Sequence, residues 1–528
     1  MILALVFALI FLASGSGYLY LKTQGKSINQ AINQAVNYLT EQLPLISETQ
    51  KELTEISSPL QALPVDTLSY QVFALEKAPT QLRNLIEDHL NSLSAVDFTF
   101  TTLSQASFPI ITKGESMKAN AYFLPYTEDQ ELSGFLESIF ANPEVRTSSE
   151  NFAGYETYLL NKGEDFNLYL CKFSSNYLVA TESKQALAQV LRSLEGTDKL
   201  SNEVSIQKEP DIFYLNYQKG ISGTGLAERL TRFANFNSSE YTLSQISNTE
   251  EGLTFTKELQ GPTYELKVFE PKLAQLSPKE ALVFYEGYEL ENFFYFLLEL
   301  SGDSSGYQLK FDDLLKDFRE SHSLDLERDV LDWMDNNYAL VISPTSDPSL
   351  FTYAFSLLVE IDEIEEASLG MEKLETALEN YFASKAPDPD NPNSYNFIDQ
   401  ELGGLALRSL VIYPEFGIHY AFLDDNHLLI TSHLEGVEQF AKVRPNKDSL
   451  ATRNAFEEAF AAMQEKEILN VFYWDIKGSF EFASYLLDKY LDDKEAVFLT
   501  GLLEKFDTLS QYSEQKTNYV EQKGRVSF

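Results

Sequence analysis

The chain opens on an unbroken apolar run, Ile2 to Ala13, followed by Ser14-Gly15-Ser16-Gly17 and then Tyr18-Leu19-Tyr20-Leu21. No charge falls between Ile2 and Leu21, which is about the length a tilted helix needs to cross a bilayer. Tyr18 and Tyr20 then sit where an interfacial aromatic belt forms. The apolar run also suits a signal-peptide core, with Ala13-Ser14-Gly15 as a small-residue cleavage site. Residues 1–25 are predicted as a transmembrane signal anchor, with a cleaved leader as the alternative. No Cys follows the run, which excludes a lipid-modified anchor. Ile28, Ile32, Val36, Leu39 and Leu43 next fall on one helical stripe, predicting a helical stalk over 26–59 that ends at the prolines from Pro59 on.

Beyond the stalk the apolar pattern repeats. Cys171 to Thr181 and Ala421 to Thr431 match at an offset of 250 residues without a gap. Each reads as an apolar strand, a polar turn closing on Asn176 or Asn426, and a second apolar strand, the pattern of a hairpin. A helical segment follows each, Lys184 to Leu191 and Leu434 to Ala441, and the same offset pairs Leu200 with Leu450. Further on, Phe213 to Gly220 resembles Val471 to Gly478, and upstream Ala121 to Leu124 has the order of Ser356 to Val359, each strand leading into a helix.

The repeat predicts two homologous α+β halves, over 60–275 and 276–528. Each is expected to be a mostly antiparallel sheet with helices on one face, the whole preceded by the N-terminal transmembrane helix. In the second half Ala281 to Tyr285 reads as a buried strand and Glu289 to Leu300 as a strongly apolar helix. Tyr338 to Ile342 and Phe351 to Ile361 read as strands, and Lys385 to Asn396, with three prolines, as a long loop.

Composition narrows the function. With 528 residues the chain is too long for one ordinary core. Its 40 basic against 80 acidic side chains give a formal net charge of −40, which argues against a nucleic-acid binder and disfavours adhesion to anionic lipid. One cysteine allows no internal disulfide and no Cys-based zinc site. Lys22 and Lys26 follow the apolar run, and the positive-inside rule taken alone would keep the body in the cytoplasm. Long acidic domains translocate largely regardless of charge, so an extracytoplasmic body, periplasmic or at the cell surface, is expected.

Leu324 to Met334, with Trp333, closely followed by Tyr338 to Ile342, resembles the hallmark segment of a bacterial envelope family, domain-of-unknown-function family 3352. The run Leu357 to Leu374, the Asp424-Asp425-Asn426 hairpin, Ser449-Leu450 and Phe472 to Asp475 are similar too. The resemblance extends over roughly 275–480. It implies an anchored envelope protein and a fold, and it carries no catalytic residues or cofactor.

Three patterns invite a chemical reading. Gly302-Asp303-Ser304-Ser305-Gly306 spells a nucleophile elbow, which works only where a strand turns sharply into a helix. Here it follows an expected helix, so Ser304 reads better as part of a loop. His419, His427 and His433 should lie on one side of the hairpin, with His419 opposite Thr431 and His427 opposite Leu423. Their spacing spreads them along its length, which makes them poor zinc ligands, and Tyr169, Tyr177 and Ser183 occupy the matching positions of the first half. Asp388, Asp390 and Asp399 resemble a calcium loop, but Asn393 stands where the turn Gly is required and Asp399 where the final Glu belongs. The sequence therefore favours a non-enzymatic binding or structural module of the envelope, with a protein partner possible. A serine hydrolase using Ser304 and a small-ligand carrier with an aromatic cleft between the halves are the alternatives.

Overall fold

The computed structural model describes residues 59–73, 110–126, 145–202, 212–219, 240–261, 266–290, 319–346, 353–385, 395–484 and 500–528, apart from short gaps, with a few isolated positions elsewhere. The predicted anchor, nearly all of the stalk, and the predicted helix after Leu290 lie outside them. Among the described residues no helix is long and apolar enough to cross a membrane. The chain divides into two compact units, one holding every described element up to Gln260, the other every one from Leu273 on.

The first unit contains β1 (Thr67–Phe73), β2 (Ile110–Gly114), β3 (Ala121–Pro125), β4 (Arg146–Phe152), β5 (Tyr155–Lys162), β6 (Phe166–Lys172) and β7 (Tyr177–Thr181). Helix α1 (Lys184–Glu195) follows, then β8 (Ile212–Lys219), β9 (Tyr241–Thr249) and β10 (Gly252–Gln260). All described pairings are antiparallel, in the order β4-β5-β6-β7-β3-β2-β1-β8-β9-β10. Helix α1 starts where Ser183 caps it, the Oγ accepting from the N–H groups of Gln185 and Ala186. Its apolar stripe, Ala186, Leu187, Val190 and Leu191, packs with Tyr70, Phe123, Cys171, Val179, Leu215, Tyr217 and Leu243 of the strands. Burying each such Leu or Val contributes about 1.5–3 kcal/mol. Leu124, Leu160, Leu168, Leu170, Leu178 and Ala180, at the alternate positions, form a second cluster on the opposite face.

The second unit contains β11 (Val283–Tyr288), β12 (Asn337–Pro344), β13 (Tyr353–Glu360), helix α2 (Ile364–Lys385), β14 (Ile398–Leu402), β15 (Leu405–Val411), β16 (Phe416–Asp424) and β17 (His427–His433). Helices α3 (Leu434–Ala441) and α4 (Asn454–Met463) and strands β18 (Asn470–Asp475), β19 (Thr508–Gln515) and β20 (Tyr519–Ser527) complete it. Its order is β14-β15-β16-β17-β13-β12-β11-β18-β19-β20, again antiparallel throughout the described pairings. The ladders of the two units therefore correspond strand for strand.

They also correspond in register. Thr181 pairs with Ala121 as Thr431 pairs with Ser356. Crossing inward, Tyr70 meets Thr112 and Tyr217, as Phe284 meets Val341 and Tyr473. The β4–β5 and β14–β15 hairpins share a two-residue turn with both φ values positive, Ala153-Gly154 in one and Gly403-Gly404 in the other. This register corrects the sequence alignment of β8: Tyr217 matches Tyr473, where the sequence reading set it against Asp475.

The expectation of helices on one face fails in the second unit. Val437 of α3 packs with Leu407 and Ala421. Glu375 of α2 instead accepts from Arg408 and Tyr420, which pair with each other at the alternate positions of β15 and β16. Helices α2 and α3 thus cover opposite faces. The hallmark segment docks α2: Asp329 takes Lys373 at 2.9 Å, and a Cβ on Gly370 would lie 2.2 Å from Trp333 Nε1.

Candidate functional site

Ser304, Asp388 and Asp390 lie outside the described residues. The three histidines are described, and the structure sets His427, at the turn, apart from the buried His419 and His433, which lie near each other at the other end of the hairpin. The hairpin turn is Asp425-Asn426, and β16 carries a bulge at Leu423, so His427 faces Asp424 and not Leu423. There its Nδ1 lies 2.7 Å from the Asp424 carboxylate, partly exposed. His419 does face Thr431 as the sequence predicts. It is 1% exposed, with Nδ1 3.0 Å from Ser409 Oγ and Nε2 buried without a hydrogen-bond partner. His433 is also buried, its Nδ1 2.8 Å from Ser432 Oγ and its ring edge-on to Phe416. Burial, helped by the nearby His433, pulls His419 down to about 4. The Ser409–His419 pair has the atoms of a nucleophile and base, but no carboxylate orients the imidazole and both groups are buried. Among the described residues no three His, Cys, Asp or Glu side chains gather to hold a metal.

Two buried polar features escaped the sequence reading. The first is Glu286 on β11, fully buried. Its Oε1 accepts the backbone N–H groups of Lys272 and Leu273 at 2.8 and 3.0 Å, while Oε2 has no partner. Burial pushes this carboxyl up to about 7, against the pull of the backbone N–H groups and with the charge of Glu360 adding to the rise. The first unit places Val72 at the same ladder position.

The second is a polar face of the first unit. In β8 and β9, Leu215, Tyr217 and Leu243 point to the α1 core, so Asn216, Gln218 and Thr242 take the other face. Gln218 and Thr242 are paired residues, and Asn216 pairs with Ser244, itself opposite Lys257. Asn216, Gln218, Thr242 and Lys257 are 2%, 8%, 2% and 1% exposed. Asn216 Oδ1, Gln218 Oε1 and Thr242 Oγ1 have no hydrogen-bond partner. Leaving such a group dry costs about 1–3 kcal/mol. Burial pulls the Lys257 ammonium down to about 7. The positions matching Asn216, Gln218 and Thr242 in the second unit hold Phe472, Trp474 and Leu509, all buried. The scaffold accepts apolar side chains there, so polarity in the first unit is not a requirement of the fold. Comparing ladder-matched positions of the two units is the signal that exposes this face in the sequence.

Residues 98–394 match the model of a family described as protein of unknown function DUF3352, over more than half of the chain. The chain belongs to this family. The matched region lies across both units, whereas the sequence resemblance was placed mainly in the second. No curated protein matches. Among solved structures the chain is similar to crystal form I of TP0453, at 11% identity and a TM-score of 0.28, covering 40% of this chain and 81% of that one. Crystal form IV of the same protein gives 10% identity, a TM-score of 0.26, and coverage of 38% and 80%.

Proposed function

We propose that this DUF3352 protein is a non-enzymatic binding module of the bacterial envelope, held in the membrane by residues 1–25 with its body outside the cytoplasm. The body is read as a duplicated unit, one copy kept as scaffold and the other adapted for binding. The observation that carries this reading is the contrast between matched ladders: Asn216, Gln218 and Thr242 stand where the second copy has Phe472, Trp474 and Leu509. Identical strand order with altered buried chemistry is what duplication followed by specialisation produces, since packing fixes the scaffold while single positions change. The anchor is supported by the charge-free stretch from Ile2 to Leu21.

Labelling of the purified full chain with a serine-directed fluorophosphonate separates this reading from a hydrolase. The binding module predicts no stoichiometric adduct. Modification at Ser304 or Ser409 that is abolished by denaturation would overturn it.

A further inference from the structure

From the polar face of β8 and β9 we infer that the first unit binds a neutral, hydroxyl-bearing small molecule of the saccharide or polyol class, held by Asn216, Gln218 and Thr242. The inference rests on the body being a binding module and assigns that module its ligand chemistry.

Each of the three side chains is at least nine-tenths buried and brings an oxygen with no hydrogen-bond partner to the same face. Gln218 and Thr242 are directly opposed across the ladder, and Asn216 lies two residues along β8. Such groups are paired in folded proteins unless a ligand, ion or water satisfies them. Size points the same way: Asn216 is smaller than Phe472, Gln218 smaller than Trp474, and Thr242 smaller than Leu509. At these three positions of an equivalent scaffold the first unit has therefore given up side-chain volume and gained polarity.

The chemistry narrows the class. A cation would meet acceptor oxygens here, but Lys257 lies on the same face, one strand beyond Ser244. A hydroxyl both donates and accepts, so it satisfies an amide turned either way as well as the Thr242 hydroxyl. Several hydroxyls on one small frame match three acceptors spread over two neighbouring strands. An apolar ligand would leave every one of them unpaired.

Saturation-transfer NMR on the full chain, with glucose and N-acetylglucosamine as separate probes, tests this. The wild type should transfer saturation to at least one sugar, and the near-isosteric pair Asn216→Leu with Thr242→Val should reduce the signal at least tenfold. Burial of Cys171 in the same unit reports folding, since its thiol becomes accessible only when that unit opens. If the double variant exposes Cys171, Thr242→Val alone takes its place. No transfer to either sugar from the wild type, or equal transfer in a folded variant, overturns the inference. Neither result bears on where the body resides or on the serine-labelling outcome, so the wider reading fails or stands separately.

Discussion

Replacing Glu286 by Gln should change how the stability of the second unit depends on pH. Glu286 is fully buried, and its Oε1 accepts two backbone N–H groups that a Gln amide oxygen accepts equally well. The carboxyl rises from an ordinary 4.5 to about 7 in the folded chain, because burial outweighs those amides. A carboxyl whose folded pKa exceeds its unfolded one stabilises the fold while protonated. That contribution is complete below 4.5 and is lost as pH rises through 7. At about 1.4 kcal/mol per pH unit, the wild type should lose about 3 kcal/mol relative to E286Q between pH 4.5 and about pH 8. The chain's two tryptophans, Trp333 and Trp474, are both buried in the second unit, so urea unfolding followed by their fluorescence reports that unit. A wild-type-minus-variant difference that stays constant to within about 0.5 kcal/mol over this range would refute the assignment of a buried ionising carboxyl.

His419 should act with the opposite sign. Its folded pKa of about 4 lies below the ordinary 6.5, so its burial supports the fold above 6.5 and ceases to do so as pH falls towards 4. Between those limits the wild type should lose about 3 kcal/mol relative to His419→Phe, measured by the same tryptophan signal. Gly370→Ala would drive a Cβ to 2.2 Å from Trp333 Nε1 and 2.6 Å from the Asp329 carbonyl, costing about 1–3 kcal/mol and shifting Trp333 emission. In the first unit, burial pushes the Cys171 thiol up to about 12, so a disulfide reagent should react with it only at the rate at which that unit opens. Immediate stoichiometric reaction of the native chain would contradict its place in the α1 core.

The hairpin repeat was legible because β4 to α1 and β14 to α3 keep one spacing, so a single offset aligns Cys171 with Ala421 and Thr181 with Thr431. Beyond it the connecting segments differ in length, and β8 was aligned two residues out of register. The face taken by α2 was not legible either, since alternation in β15 and β16 says which residues share a side but not which helix covers it. Burial of Asn216 and Gln218 was hidden for a related reason. Leu215-Asn216-Tyr217-Gln218 reads as an ordinary strand with one wet face, and the side chains look solvated until the sheet is assembled. Glu286 was lost at the end of the apolar run Ala281 to Tyr285, where an acid passes for the exit of a strand. The histidine geometry failed at the bulge at Leu423, which moves His427 beside Asp424, and at the other end of β16, where a second register shift accompanies the approach of His433 to His419.

Protease accessibility tests the placement of this module outside the cytoplasm most directly, using the full chain with an epitope after Phe528. In spheroplasts with an intact inner membrane, external protease should remove the epitope while a cytoplasmic control protein survives. Protection of the epitope until the membrane is lysed would put the body on the inner side, in line with Lys22 and Lys26, and would contradict the account.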